Sequence, residues 1–93
     1  MISPETEGAR AAVVRCSRLL RRDVNNAEVW HALGTALAAL GDRAAAFTAL
    51  RNAVLIDANR AHTHLALGNL LFDTGRFDDA LHCYDCAASL SRG

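Results

Sequence analysis

The stretch NNAEVWHALGTALAALGD, residues 25–42, decides the fold. Trp30, Leu33, Leu37 and Leu40 recur at three- and four-residue steps, the spacing of one face of an α-helix. Gly34 interrupts that helix in its middle, where glycine costs about 1 kcal/mol relative to alanine. At the far end Gly41 suits a left-handed helix stop. Asp42 then suits the N-cap of a second helix.

Shifting the sequence by 34 residues explains the interruption. Ala27 falls on Ala61, Ala32 on Ala66, Leu33 on Leu67, Gly34 on Gly68 and Leu37 on Leu71. Further along, Gly41 falls on Gly75, Ala46 on Ala80 and Ala53 on Ala87. The coincidences concentrate at small and apolar positions, as expected for a stacked helical repeat. Each unit predicts two helices, at 27–40 with 42–57 and at 61–74 with 77–91. Phe47, Leu50, Ala53 and Val54 form the inner side of the first unit's second helix. Phe77, Ala80, Leu81, Tyr84, Ala87 and Ala88 form the corresponding stripe in the next unit. Connections this short make neighbouring helices antiparallel.

Residues 4–22 fit the same register. Ser3 is a cap, Pro4 suits a first turn, and Glu5 and Glu7 sit at the positive end of the dipole. Ala12, Cys16 and Leu19 fall one period before Ala46, Leu50 and Ala53. The segment predicts the second helix of a unit whose first helix is missing. The expected architecture is all-α: a stack of antiparallel helical hairpins with about five helices. It divides into a half-repeat at 1–26 and full repeats at 27–60 and 61–93.

The chain resembles the tetratricopeptide repeat family, whose pattern W-x2-L-G-x2-Y precedes later small, aromatic and small slots. Trp30, Leu33 and Gly34 match directly, and Leu37 stands in for Tyr. Ala46, Leu50 and Ala53 fill the slots of the second helix. In the next unit His64 replaces Trp, while Leu67, Gly68, Ala80, Tyr84 and Ala87 keep the pattern. Val24 and Ala58 replace the family's proline. The resemblance places Gly34 opposite Ala46 where paired helices cross.

The resemblance also implies a concave surface built by the first helix of each unit, where the family commonly holds extended peptides. In this register its lining is Glu28, His31, Ala32, Thr35 and Ala39, then His62, Leu65, Ala66, Asn69 and Asp73. Family members that grip the carboxylate of heat-shock chaperones use Lys, Asn and Arg there. Here Ala32 and Ala66 replace Asn or Arg, and Leu65 replaces Lys. Only Asn69 matches, so that use is not expected.

Catalytic chemistry has no foothold. Ser and Thr are scattered, with no paired His and acid, and the glycines are repeat positions rather than a phosphate loop. Within DDALHCYDCAA, residues 78–88, the groups Asp79, His82, Cys83 and Cys86 are a zinc-like set. Zinc sites draw their ligands from turns or separate elements rather than four from one straight helix. No metal or cofactor is therefore expected, and Cys83 and Cys86 are expected as helix-surface cysteines. Cys16 lies at an inward slot.

Formal net charge is zero, which gives no overall field toward nucleic acid or an anionic membrane. The distribution is uneven: residues 1–22 carry +3 and residues 23–93 carry −3. All ten basic residues are Arg. Three cysteines suit a reduced, cytoplasmic protein better than a disulfide framework. The polar start MISPETEGAR does not read as a signal peptide, and no apolar run is long enough to span a membrane.

The expected function is a non-catalytic protein-interaction module that binds a protein or peptide on the concave surface. The alternative is self-association through uncapped end helices. There the Val13, Cys16, Leu19 and Leu20 face and residues Leu81, Ala88 and Leu90 would stay uncovered. A metal or redox site at Cys83 and Cys86 is the third reading.

Overall fold

The computed structural model describes residues 3–92; residues 1, 2 and 93, at the outer ends of segments 1–26 and 61–93, lie outside the described residues. Five helices follow one another: α1 (Pro4–Arg22), α2 (Ala27–Ala39), α3 (Arg43–Ile56), α4 (Ala61–Asp73) and α5 (Phe77–Arg92). Among the described residues there is no strand.

The sequence sets the helix ends through local chemistry. Ser3 Oγ accepts from the Thr6 amide, Asn26 Oδ1 from Val29 and Asp42 Oδ1 from Ala45, each at 3.2 Å. Glu5 and Glu7 sit in the first turn of α1, and Arg21 and Arg22 in its last, each complementing the helix dipole. Gly41 and Gly75 adopt φ of 85° and 83°, a conformation that bulkier residues resist. The Gly41 amide donates to Ala38 O and the Asp42 amide to Leu37 O, both at 3.0 Å. This pairing satisfies the last carbonyls of α2. Gly75 and Arg76 repeat it on Phe72 and Leu71. Asp23 and Asp57 each accept an amide two residues on, at 3.1 Å, and so shape the turns that lack the family's proline.

Helices pack in sequence: α1 on α2, α2 on α3, α3 on α4 and α4 on α5, with α2 only touching α4. The centre is α3, where Ala46, Ala49, Leu50 and Ala53 are almost wholly buried. Leu67, Leu70 and Leu71 of α4 meet this core, with Ala80 and Cys83 of α5. Phe47 and Val54 close it from the flank.

The mid-helix glycines sit at the closest approaches, but the expected Gly34–Ala46 contact is not the tightest one. A Cβ on Gly34 would lie 2.6 Å from Leu50 Cγ and 2.8 Å from Leu50 Cδ2, against 3.3 Å from Ala46 O. On Gly68 it would meet Tyr84 Cε1 at 2.7 Å and Cys83 Cβ at 3.2 Å. The glycine makes room for the large side chain one turn past the small residue. The small residue itself brings the backbones together.

Three further expectations need correction. Phe77, Leu81 and Ala88 are exposed, not part of the inner stripe of α5; for Leu81 and Ala88 this is the exposure that end-to-end self-association calls for, whereas Leu90 is half-buried. The three exposed residues occupy the slots of Arg43, Phe47 and Val54 on α3, the flank from which α3 meets α4, and no described helix covers that flank of α5. Cys83 is buried at 8 % exposure, not a surface cysteine, because it holds the slot of the buried Ala49. On α1, Cys16 is buried and Val13 and Leu20 are half-buried on a helix that packs against α2. Only Leu19 of the expected face stays exposed.

Candidate functional site

The first helices of the two units, α2 and α4, lie side by side with limited contact, and their adjacent faces form the candidate groove. Glu28, Thr35, His62, Asn69 and Asp73 are exposed, and Leu65 is 48 % exposed among them. Ala32 and Ala66 are half-buried and make the floor shallow.

Several of these side chains are already engaged. Thr35 Oγ1 donates back to Ala32 O at 3.0 Å, so its hydroxyl serves its own helix. Asn69 Oδ1 accepts from the Tyr84 hydroxyl at 2.7 Å, leaving its amide NH2 as the group that faces outward chemistry. His31 is half-buried, with Nδ1 hydrogen-bonded to Thr63 Oγ1 at 3.0 Å. Thr63 is completely buried, so this bond satisfies a hydroxyl that would otherwise be orphaned. The His31 ring also meets His62 edge-on, with centroids 4.5 Å apart. The Arg60 guanidinium donates to His62 Nε2 at 2.9 Å, which places the His62 proton on Nδ1. His31 is thus a tie between repeats rather than a free groove ligand.

Sequence reasoning missed Thr63 and Arg60. Thr63 carried a signal, since it is a hydroxyl in the slot of Val29, and a polar group placed inward needs a partner.

Burial, then the His62 ring, then Arg60 lower the His31 pKa below its ordinary 6.5, with Glu28 acting the other way. The unfolded chain therefore takes up this proton first. The His31 contribution to stability is complete above about pH 6.5 and is lost as pH falls toward the lowered folded value. We expect the urea midpoint to drop between neutral and mildly acidic pH. That drop should be smaller in His31→Asn, which keeps a hydrogen-bonding partner for Thr63. An equal drop in both proteins would rule out His31 as the source.

The zinc-like segment does not assemble. His82 Nε2 and Cys86 Sγ are 3.9 Å apart on the outside of α5. Asp79 is paired with Arg76 at 2.7 Å, and Cys83 faces the core. Burial, then Cys86 and Asp79, push the Cys83 thiol up, away from the thiolate that metal binding or attack requires. Among the described residues no three His, Cys, Asp or Glu groups converge. All three cysteines are unpaired.

His64 shows how the second unit dispenses with tryptophan. Trp30 Nε1 donates to Val24 O at 2.7 Å, across six residues. His64 Nε2 donates to Ala58 O at 2.8 Å, the same bond one period later.

A family model for the tetratricopeptide repeat matches residues 27–60 and 61–93. The chain belongs to the tetratricopeptide repeat family. The fold is shared with solved proteins of that shape. The crystal structure of MamA superposes with a TM-score of 0.86 at 18 % identity, over 91 % of this chain and 50 % of that one. A second MamA structure, labelled AMB-1, gives 0.85 at 25 % identity over 94 % and 48 %. An O-GlcNAc transferase mutant (K341M) from Thermobaculum terrenum gives 0.79 at 25 % identity over 97 % and 20 %. The chain therefore spans about half the length of the MamA chains and a fifth of the transferase. No curated protein matches the chain in sequence. Repeats of this family are generally protein-interaction modules rather than catalysts. No described helix is long and apolar enough to cross a membrane.

Proposed function

We propose that this tetratricopeptide repeat unit, with its half-repeat at 1–26, is a non-catalytic module holding a protein or peptide partner along α2 and α4. The observation that carries this is Leu65, a large apolar side chain half exposed on α4, at the helical spacing of the exposed Asn69 and Asp73, with Glu28 exposed on α2. Isolated exposed leucines are common. This one lies in a groove whose surrounding groups supply two carboxylates and an amide donor. The fitting partner is an extended segment with an apolar residue for Leu65 and a basic residue for Glu28 or Asp73. The three unpaired thiols support a reducing compartment such as the cytoplasm.

A photo-crosslinking residue placed at Leu65 should capture discrete protein adducts in cells. The same probe at Leu55, exposed on α3, should not. Equal labelling from both positions would remove the groove from consideration.

A second reading is self-association through the ends. Leu19 on α1, and Phe77 and Leu81 on α5, are exposed apolar groups at opposite ends of the stack. The α1 end carries Arg10, Arg15 and Arg18, and the α5 end Asp78, Asp79 and Asp85. Exposed charges attract over about 10 Å at moderate salt and less at high salt. Sedimentation at high micromolar concentration should then give a mass above the monomer at low salt that falls as salt rises. A monomer under both conditions would sink this reading.

A further inference from the structure

The replacement of Trp30 by His64 one period later does more than conserve a hydrogen bond. Both rings bond the carbonyl six residues before them, at 2.7 Å and 2.8 Å, so their five-membered rings are held alike. An indole carries a fused six-membered ring beyond that point, and an imidazole carries nothing. Beside His64, which lines it, the second unit has an open pocket of about 420 Å³. Its walls are Ala58 and His64 on one side and His82, Asp85, Cys86 and Leu90 of α5 on the other. These wall residues besides His64 sit 34 positions after Val24, Thr48, Arg51, Asn52 and Ile56 of the first unit, where Val24 is the residue that Trp30 bonds. The walls are mainly apolar, with Asp85 placing a carboxylate in reach of an N–H donor. The size falls within the range of small-ligand sites.

We propose that this pocket receives an aromatic side chain, an indole above all, from a partner protein segment, restoring from outside the ring that the second unit lacks. The occupant is identified within the molecule, because the first unit places its own indole at this register. A planar ring fits a slot between a helix start and a neighbouring helix end, with its N–H available to Asp85. On α4, His64 points away from the side that carries His62, Leu65 and Asn69, since two residues turn the helix by about 200°. The pocket is therefore a second contact point, independent of the groove.

The test is a titration of the intact protein, followed residue by residue by amide NMR. The probe is N-acetyl-tryptophanamide, with N-acetyl-leucinamide as the comparison. The tryptophan probe should give saturable shifts centred on His64, His82 and Cys86, with the leucine probe about tenfold weaker. His64→Trp should fill the pocket from within and abolish those shifts while leaving the spectrum folded. Cys86→Phe blocks the same space from α5 and covers the case in which the first variant fails to fold. Leu65→Ala, in the groove, should leave the shifts unchanged, which separates this proposal from the groove reading. Absence of saturable shifts, an equal response to the leucine probe, or persistence of the shifts in both blocking variants would overturn it.

Discussion

Leu50→Ala should destabilise the protein by about 3 kcal/mol, the cost typical of truncating a buried leucine in a core that cannot collapse. Leu50 is 1 % exposed and lies in the cluster with Ala46, Leu67, Leu70 and Leu71. Its methyl groups also occupy the space that Gly34 leaves free. Shortening it opens a void bounded by two helices, α2 and α4, that α3 joins. In a chain of this size about 3 kcal/mol lowers the melting temperature by roughly 15 °C. Leu55→Ala on the same helix, at a position 74 % exposed, should change stability by less than about 0.5 kcal/mol. Comparable losses from both variants would mean that Leu50 is not buried as described.

Gly34→Ala should also destabilise, although alanine is the better helix former. The gain in helix propensity is about 1 kcal/mol. Against it stands a Cβ driven to 2.6 Å from Leu50 Cγ, where Leu50 has no space to retreat. Overpacking of this kind costs about 1–3 kcal/mol. The net loss should be up to about 2 kcal/mol, read as a fall in urea midpoint. Gly68→Ala should lose less. Its nearest obstacle is the half-buried Tyr84 ring, whose hydroxyl end is held by the exposed Asn69 and can swing outward. The two substitutions at Gly34 and Leu50 should be coupled. In the Gly34→Ala, Leu50→Ala double variant the new Cβ enters the void left by leucine, so the combined loss is smaller than the sum. Strict additivity would show that the two residues do not compete for one space.

The backbone was almost wholly legible in the sequence. A period of 34 residues, two glycine stops and two polar caps place the helix ends within about a residue, because these signals are local. The packing register was legible for the same reason: Ala46, Ala53, Ala80 and Ala87 are all buried. What the repeat did not reveal were pairings between dissimilar side chains far apart in sequence. His31 finds Thr63 across 32 residues, and Tyr84 finds Asn69 across 15. Nothing in either unit alone announces those partners, since Thr63 replaces Val29 and Asn69 replaces Thr35 between units. Cys83 was misjudged by attention to its chemistry, when its slot, shared with Ala49, decided its burial. Phe77 was misjudged, and Leu81 was read both as inward and as uncovered, because a helical stripe shows that a face is apolar, not that a neighbour covers it.

The order of packing, each helix chiefly on the next, has a kinetic meaning as well. Such a stack has no single closing contact between its ends, so its parts need not open together. Releasing α5 uncovers Leu67 and Leu71 but leaves α3 against α2. Releasing α1 uncovers the face of α2 that it packs against but leaves α3 against α4. Loss of α3 alone severs both halves at once. The molecule is therefore a graded object, closely packed within α2–α3 and within α4–α5 and thinnest at the seam where α3 meets α4. Any segment that lies along both α2 and α4 bridges that seam and ties its two sides together.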